Sequence, residues 1–284
     1  MFLYNIYGKR VAINIELPLL HKIVDSNNSE LKVHVVFERI NGETIIIKEI
    51  DRHFSVLLGS LAHYNIDPIN DEIHCKAPNF ESFFSTFFNI PFSVYSLCKD
   101  EVLYHACSLL YKDEVFCLTG DKGVGKSTLT AILNSNKGFS IFSDDTIHIC
   151  NCLNVNSAHN LIKQTTETVN ALGISTLNVQ NVAGKLYSSF DEVVGTAKIG
   201  KIFHLIRSNE LKFRIRPITS QLKRDSIFKT NIVGISNMPH SLVSKAMKIK
   251  PDISIRFYEL SLPNDLNYLV NKSDKLIKLI LSCF

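Results

Sequence analysis

The chain has 284 residues, 45% of them apolar and 20% charged, which is enough to bury a sizeable core in one large or two ordinary domains. A net charge of +4, spread along the chain, gives no basis for a polyanionic partner larger than a nucleotide, so no nucleic-acid partner is expected. No apolar run approaches the roughly 20 residues that span a bilayer, and MFLYNIYGKR lacks the apolar region of a secretory leader, so no membrane partner and a cytoplasmic location are expected.

Taken in chain order, residues 1–60 read mainly as strands, with Asn41-Gly42 as a tight hairpin turn between two of them. Residues 52–64 read as a short helix. The aromatic run 80–97, FESFFSTFFNIPFSVYSL, reads as a buried helix followed by an extended segment beyond Pro91. Residues 101–110 and 114–119 read as two strands joined at Lys112-Asp113. A helix follows and ends at Gly138, and FSIFSDDTIHIC then reads as a strand carrying Asp144 and Asp145. Residues 163–173 read as a helix closing on Gly173. IGKIFHLI, LKFRIRPI and ISIRFYELSL read as strands, SQLKRDSIFKTNI and NMPHSLVSKAMKI as helices, and LNYLVNKSDKLIKLILSCF as a closing amphipathic helix. The expected division is an N-terminal β-rich domain, 1–97, and a second domain, 98–284, that carries the chemistry.

Seven cysteines at irregular spacing, in a chain without an export signal, read as reduced thiols. His148, Cys150 and Cys152 alternate along IHICNC and would share one face of a strand. No fourth metal ligand is evident, and core thiols are the expectation.

The most specific local signal is GDKGVGKS at 120–127, of the form G-x-x-x-x-G-K-[ST], between a strand and a helix. In that context Gly120, Asp121, Lys122, Gly123, Val124, Gly125, Lys126, Ser127 and Thr128 form the candidate nucleotide-binding stretch. The glycines turn backbone N–H groups around phosphate oxygens, Lys126 reaches the β- and γ-phosphates, and Ser127 ligates Mg²⁺. ATP, or GTP, with Mg²⁺ is therefore the expected ligand pair. Asp144 and Asp145 stand one strand–helix–strand unit later. One carboxylate there can hold Mg²⁺ and another can accept a hydroxyl proton. Neighbours on a strand point to opposite faces, so joint action requires a bend at the pair. His105 precedes the loop by fifteen residues, on the preceding strand.

The segment YHACSLLYKDEVFCLTGDKGVGKSTLTAILNSNKGFSIFSDD resembles the catalytic core of the HPr kinase/phosphorylase family. There a strand histidine, a short hairpin, a phosphate loop, a helix and a strand ending in Asp-Asp follow in this order. The resemblance implies an α/β fold with an α+β mixed sheet, like phosphoenolpyruvate carboxykinase rather than the usual parallel-sheet NTPases. It implies that His105 contacts phosphate or tunes the base. Lys126 would hold the β- and γ-phosphates, Ser127 and Asp144 the metal, and one of Asp144 and Asp145 would be the general base. More loosely, most of the chain resembles a branch that includes lasso-peptide precursor kinases, through IYGKRVAINIELPLL, the aromatic stretch, IGKIFHLI and FYELSLPNDL. In that branch Lys163 and Lys185 match two phosphate-neutralising positions, with Glu167 a nearby carboxylate.

The chain departs from true HPr kinases in lacking their glycine-rich signature with a metal-binding glutamate and their C-terminal arginine loop. Ala106-Cys107 stands where they carry glycine. Neither HPr as acceptor nor phosphorolysis therefore follows. The expected activity is a Mg²⁺-dependent serine kinase acting on a precursor peptide or small protein. The alternatives are a kinase of HPr, another carrier protein or free serine, and a nucleotide-binding regulator without catalysis. A homo-oligomer is compatible with the ring assemblies of the family.

Overall fold

The computed structural model describes residues 1–18, 20, 22–23, 29–135, 138–150, 154–157, 161–173, 179–182, 185–189 and 195–284. The first sheet is built from β1 (Phe2–Ile6), β2 (Lys9–Ile13), β3 (Leu31–Phe37), β4 (Ile45–Ile50), β5 (His53–Leu58), β6 (Ala62–Asp67) and β7 (Glu72–Ala77). Its seven strands lie in the order β1-β2-β3-β7-β6-β5-β4, with β2/β3 and β3/β7 parallel and the other pairs antiparallel.

Two expectations fail in this sheet. Residues 52–64 form β5 and the start of β6, not a helix. Phe54, Val56 and Leu58 alternate inward, and Asp51 and Arg52 take φ of 48° and 69°, which folds β5 back on β4. The Asn41-Gly42 turn does not join β3 to β4, which lie at different places in the sheet; β3 pairs with β2 and β7.

The aromatic run forms two helices, α1 (Phe80–Phe87) and α2 (Ile90–Cys98). Asn79 caps α1 by accepting from Ser82 N–H at 2.9 Å. Phe83, Phe84 and Phe87, at helical spacing, are buried under the sheet with Phe92 and Tyr95 of α2. Each such ring contributes about 1.5–3 kcal/mol of apolar burial. The extended segment expected after Pro91 is instead helical, because proline sits in the first turn, where a missing N–H costs nothing.

The second sheet contains β8 (Val102–Tyr104), β9 (Cys107–Tyr111), β10 (Glu114–Thr119), β11 (Phe139–Ser143), β12 (Ile147–Cys150), β13 (Asn154–Asn156), β17 (Thr196–Ser208), β18 (Arg214–Pro217) and β19 (Arg256–Pro263). It is mixed: β10/β17 and β17/β19 are parallel, whereas β9/β10, β9/β11 and β18/β19 are antiparallel. The strand expected over 101–110 is broken at His105-Ala106. β8 pairs with β12, and β9 pairs with β10 and β11. A third sheet holds β14 (Leu161–Gln164), β16 (Lys185–Ser189) and β15 (Val179–Val182) in that order.

Helices α3 (Lys126–Asn134), α4 (Thr166–Leu172), α5 (Gln221–Thr230) and α6 (His240–Lys248) follow the expected order, but α3 ends at Asn134 rather than at Gly138, and the helix expected from residue 163 starts at Thr166 because Lys163 and Gln164 pair with β16 in β14. The closing helix is two pieces, α7 (Leu266–Asn271) and α8 (Ser273–Leu281), divided at Lys272. One buried cluster spans residues of both large sheets, and a second lies among β9, β10, β17, β19, α3 and α8. Tyr7 and Gly8, at the β1–β2 turn, dock onto the second sheet: a Cβ on Gly8 would lie 2.6 Å from Asn156 Cγ. Among the described residues no helix is long and apolar enough to cross a membrane.

Candidate active site

The glycine loop that begins at Gly120 is shaped by its neighbours. β10 is buried from Val115 to Thr119 and enters the loop at Gly120, whose φ is 136°. A Cβ there would lie 2.7 Å from the Leu205 carbonyl oxygen on β17; at Gly125, φ 102°, it would lie 2.7 Å from Arg207 Nη2. Both positions demand glycine. α3 begins at Lys126 without a side-chain cap, so the first-turn N–H groups have no helical carbonyl or cap of their own. Lys126 Nζ donates to the carbonyls of Gly120 at 2.8 Å and Asp121 at 3.2 Å. Burial lowers its pKa, while Cys107, Asp145 and Asp144 pull the other way.

The remaining loop residues divide by role. Gly123 has φ 82°, and Asp121 and Lys122 are exposed. Val124 is buried in the second cluster, with its N–H bonded to Asp121 O at 3.2 Å. Thr128 points away from the loop, its hydroxyl 3.1 Å from that of Thr168 on α4.

The bend required at the aspartate pair is present. β11 ends at Ser143, Asp145 takes φ 65°, and β12 starts at Ile147. Asp144 is buried and accepts from the Cys107 thiol at 2.8 Å and from Lys163 N–H at 2.8 Å. Burial and the Asp145 charge push its pKa up to about 6, against the thiol, the Lys163 amide and the Ser127 hydroxyl. The Cys107 sulfur also lies 3.7 Å from Ser127 Oγ. Asp145 is more open, and its Oδ1 lies 3.7 Å from His105 Nδ1, beyond hydrogen-bond range. Burial, then the Lys126 charge, lowers the His105 pKa, leaving a neutral imidazole at neutral pH. His105 sits where the chain leaves β8, its N–H donating to Asn231 O at 2.7 Å and its carbonyl accepting from Thr119 Oγ1 at 3.4 Å.

Tyr7, which nothing in its local sequence marks, braces this bend. Its hydroxyl donates to Phe88 O at 3.0 Å and hydrogen-bonds Thr146 Oγ1. Ser143 Oγ also bonds the Thr146 carbonyl. Lys163 lines a cavity with Asp144, Asp145 and Tyr187. Burial pushes the Tyr187 pKa up to about 12, with Asp145 and Asp144 adding to it. Glu167 is exposed in the first turn of α4 and does not line that cavity. Lys185 opens β16, and its side chain lies outside the described residues.

His148, considered as a metal ligand, is buried with both ring nitrogens partnered: Nε2 to Glu101 at 3.0 Å and Nδ1 to Asn156 at 3.2 Å. Cys150 is half-buried and Cys152 lies outside the described residues. Among the described residues no group of three or more His, Cys, Asp or Glu is arranged to hold a metal without other donors. Cys107, Tyr7, Tyr187 and Arg207 are the residues that sequence reasoning missed, since each reaches the site only through tertiary contact.

No protein-family model matches the chain, and no curated protein matches it. Among solved structures, it is similar to the Hpr(Ser) kinase/phosphatase from Coxiella burnetii. The identity is 15%, over 63% of this chain and 98% of that chain, with a TM-score of 0.31. That score is too low for the likeness to carry function, which has to come from the site itself.

Proposed function

We propose that the protein is a Mg²⁺-dependent kinase that transfers the γ-phosphoryl group of ATP to a serine hydroxyl of a peptide or small protein, with an HPr-kinase-like core. The observation that carries this reading is the meeting of Lys126 and Ser127 with a bent Asp144-Asp145 pair. The acceptor suggested by the resemblance is a ribosomal precursor peptide of the lasso type, with residues 1–97 forming the substrate-binding domain.

The donor set fits a divalent cation. Asp144 is a buried carboxylate beside a second one, short of positive charge, and the Ser127 hydroxyl is close by. Ser127 and Asp144 would hold Mg²⁺, which when bound offsets the charge of phosphates and carboxylates together. Lys126 moves from the loop carbonyls to the β- and γ-phosphates. Asp145 takes the proton of the acceptor hydroxyl as its oxygen bonds to the γ-phosphorus. The bond from that phosphorus to the bridging oxygen breaks, and ADP leaves with the electron pair. Neutral His105 sits beside Asp145 to orient it or to meet a phosphate oxygen, and Lys163, with Lys185 a second candidate, supports the developing charge.

An open cavity of about 1200 Å³, with His105 on its wall, favours a peptide acceptor over free serine, for which a closed pocket would be expected. The test is mass spectrometry of the protein incubated with ATP, Mg²⁺ and the serine-containing precursor peptide encoded beside its gene. One added phosphate on the peptide, absent with Lys126→Ala, is expected. No added mass while ATP binds would move the acceptor to a carrier protein or metabolite. No ATP binding at all would end the kinase reading.

A further inference from the structure

The elbow between α1 and α2 separates two cavities of very different size. The smaller, about 50 Å³, lies between Phe84, Ser85, Phe88 and Asn89 of the elbow and the aspartate bend, with Lys163 and Tyr187 on its wall. The larger, about 1200 Å³, runs from the elbow past His105, between Thr44–Ile45 of the first sheet and the α5–α6 connection. Ser85 and Asn89 line both, so these two residues form the boundary, or neck, between the cavities.

Asn89 is unusual in what it leaves undone. It stands at the N-cap of α2, where asparagine ordinarily bonds a first-turn N–H, yet it makes no side-chain cap bond. Asn79, at the equivalent place on α1, does cap its helix. Among the described residues the Asn89 side-chain amide has no hydrogen-bond partner, and the residue stands at this boundary with a donor and an acceptor available.

Resting on the kinase reading, we infer that Ser85 and Asn89 form the acceptor gate: a hydroxyl side chain passes the neck to reach Asp145, and Asn89 bonds the backbone of the segment that carries it. The occupant is an extended peptide segment with a serine or threonine, its remainder lying in the larger cavity. Size decides the residue. A water takes about 30 Å³ and a benzene-sized guest about 150 Å³, so the small cavity holds a hydroxymethyl or hydroxyethyl group and rejects a phenol. The amide of Asn89 pairs with a peptide unit, which free serine lacks.

The experiment uses the full chain with γ-labelled ATP, Mg²⁺ and three randomised peptide libraries that differ only in a fixed Ser, Thr or Tyr. Label is expected in the Ser and Thr libraries and not in the Tyr library. Asn89→Leu is expected to raise the acceptor KM about tenfold, the loss of a bond worth about 1.4 kcal/mol, with the Kd for ATP unchanged. Ser85→Val, which narrows the neck, is the second variant should the first fold poorly, and is expected to act the same way. Equal labelling of the Tyr library, or an unchanged acceptor KM in a folded variant, overturns the gate and leaves the kinase reading standing. No label in any library, with ATP bound, overturns the gate and moves the acceptor to a carrier protein or metabolite, and no ATP binding at all ends the kinase reading and the gate with it.

Discussion

The proposed nucleotide side of the site and its proposed acceptor side are built in opposite ways. The first is one continuous stretch, from β10 through the glycine loop into α3. The second draws Tyr7, the α1–α2 elbow, His105, Cys107, Asp144–Thr146, Lys163 and Tyr187 from far along the chain. A phosphate group is recognised largely by backbone N–H groups at a helix start, which a short motif can specify. A hydroxyl acceptor and its base need side chains at set distances, which only packing supplies. The contrast implies that damage to the loop removes nucleotide use outright, whereas damage to the acceptor side is graded by the strength of the bond that is broken.

The largest effect is expected where the two sides meet. Lys126→Ala and Asp145→Asn should each lower transfer by at least about 10²-fold without unfolding the protein. Turnover assays beside circular dichroism check this, and normal turnover in both variants would falsify the site assignment.

Next in size is a pH effect on the nucleotide-free protein. The Asp144 pKa is raised from 3.8 to about 6, so the folded state favours its protonated form. The stability this provides is full below pH 3.8 and is lost as pH rises through about 6, an amount of about 3 kcal/mol. Denaturant midpoints at about pH 4.5 and about pH 7.5 should show most of this loss, and Asp144→Asn should reduce it. A variant with the wild-type pH dependence would show that Asp144 does not carry it.

A smaller and more local effect is expected at Cys107, whose thiol holds Asp144 at 2.8 Å. Cys107→Ala should raise the Mg²⁺ concentration for half-maximal transfer roughly five-fold, the equivalent of about 1 kcal/mol. Cys107→Ser, which keeps a donor, should recover most of it. Equal behaviour of the two would mean the thiol only fills space. The least effect is assigned to Tyr7→Phe, which removes the bonds to Phe88 and Thr146 and should cost about 1–2 kcal/mol of stability. If thermal unfolding is unchanged, the brace on the bend is dispensable.

Legibility followed the same division. The Lys112-Asp113 hairpin, the glycine loop and the start of α3 were readable because each depends on residues close in sequence, whereas α3 ends at Asn134, ahead of Gly138. Where the reading failed, distant contacts decided. Phe54, Val56 and Leu58 sit in a strand because β4 and β6 flank them, and the segment after Pro91 is helical because it packs under the first sheet with α1. β3 passes over β4 to pair with β7, a choice that no turn residue encodes.

By itself, then, the sequence determined the glycine loop between β10 and α3, the place of the carboxylate pair and the order of most elements, since glycine conformations, caps and hydrophobic periods act over a few residues. Only the tertiary structure decided that Asp144 faces Cys107 and Ser127, that Asp145 faces His105, and that an uncapped Asn89 stands at a neck between two cavities. Those relations depend on how two sheets close over one buried cluster, and burial is non-directional: it rewards contact without stating in any local stretch which partner will be met.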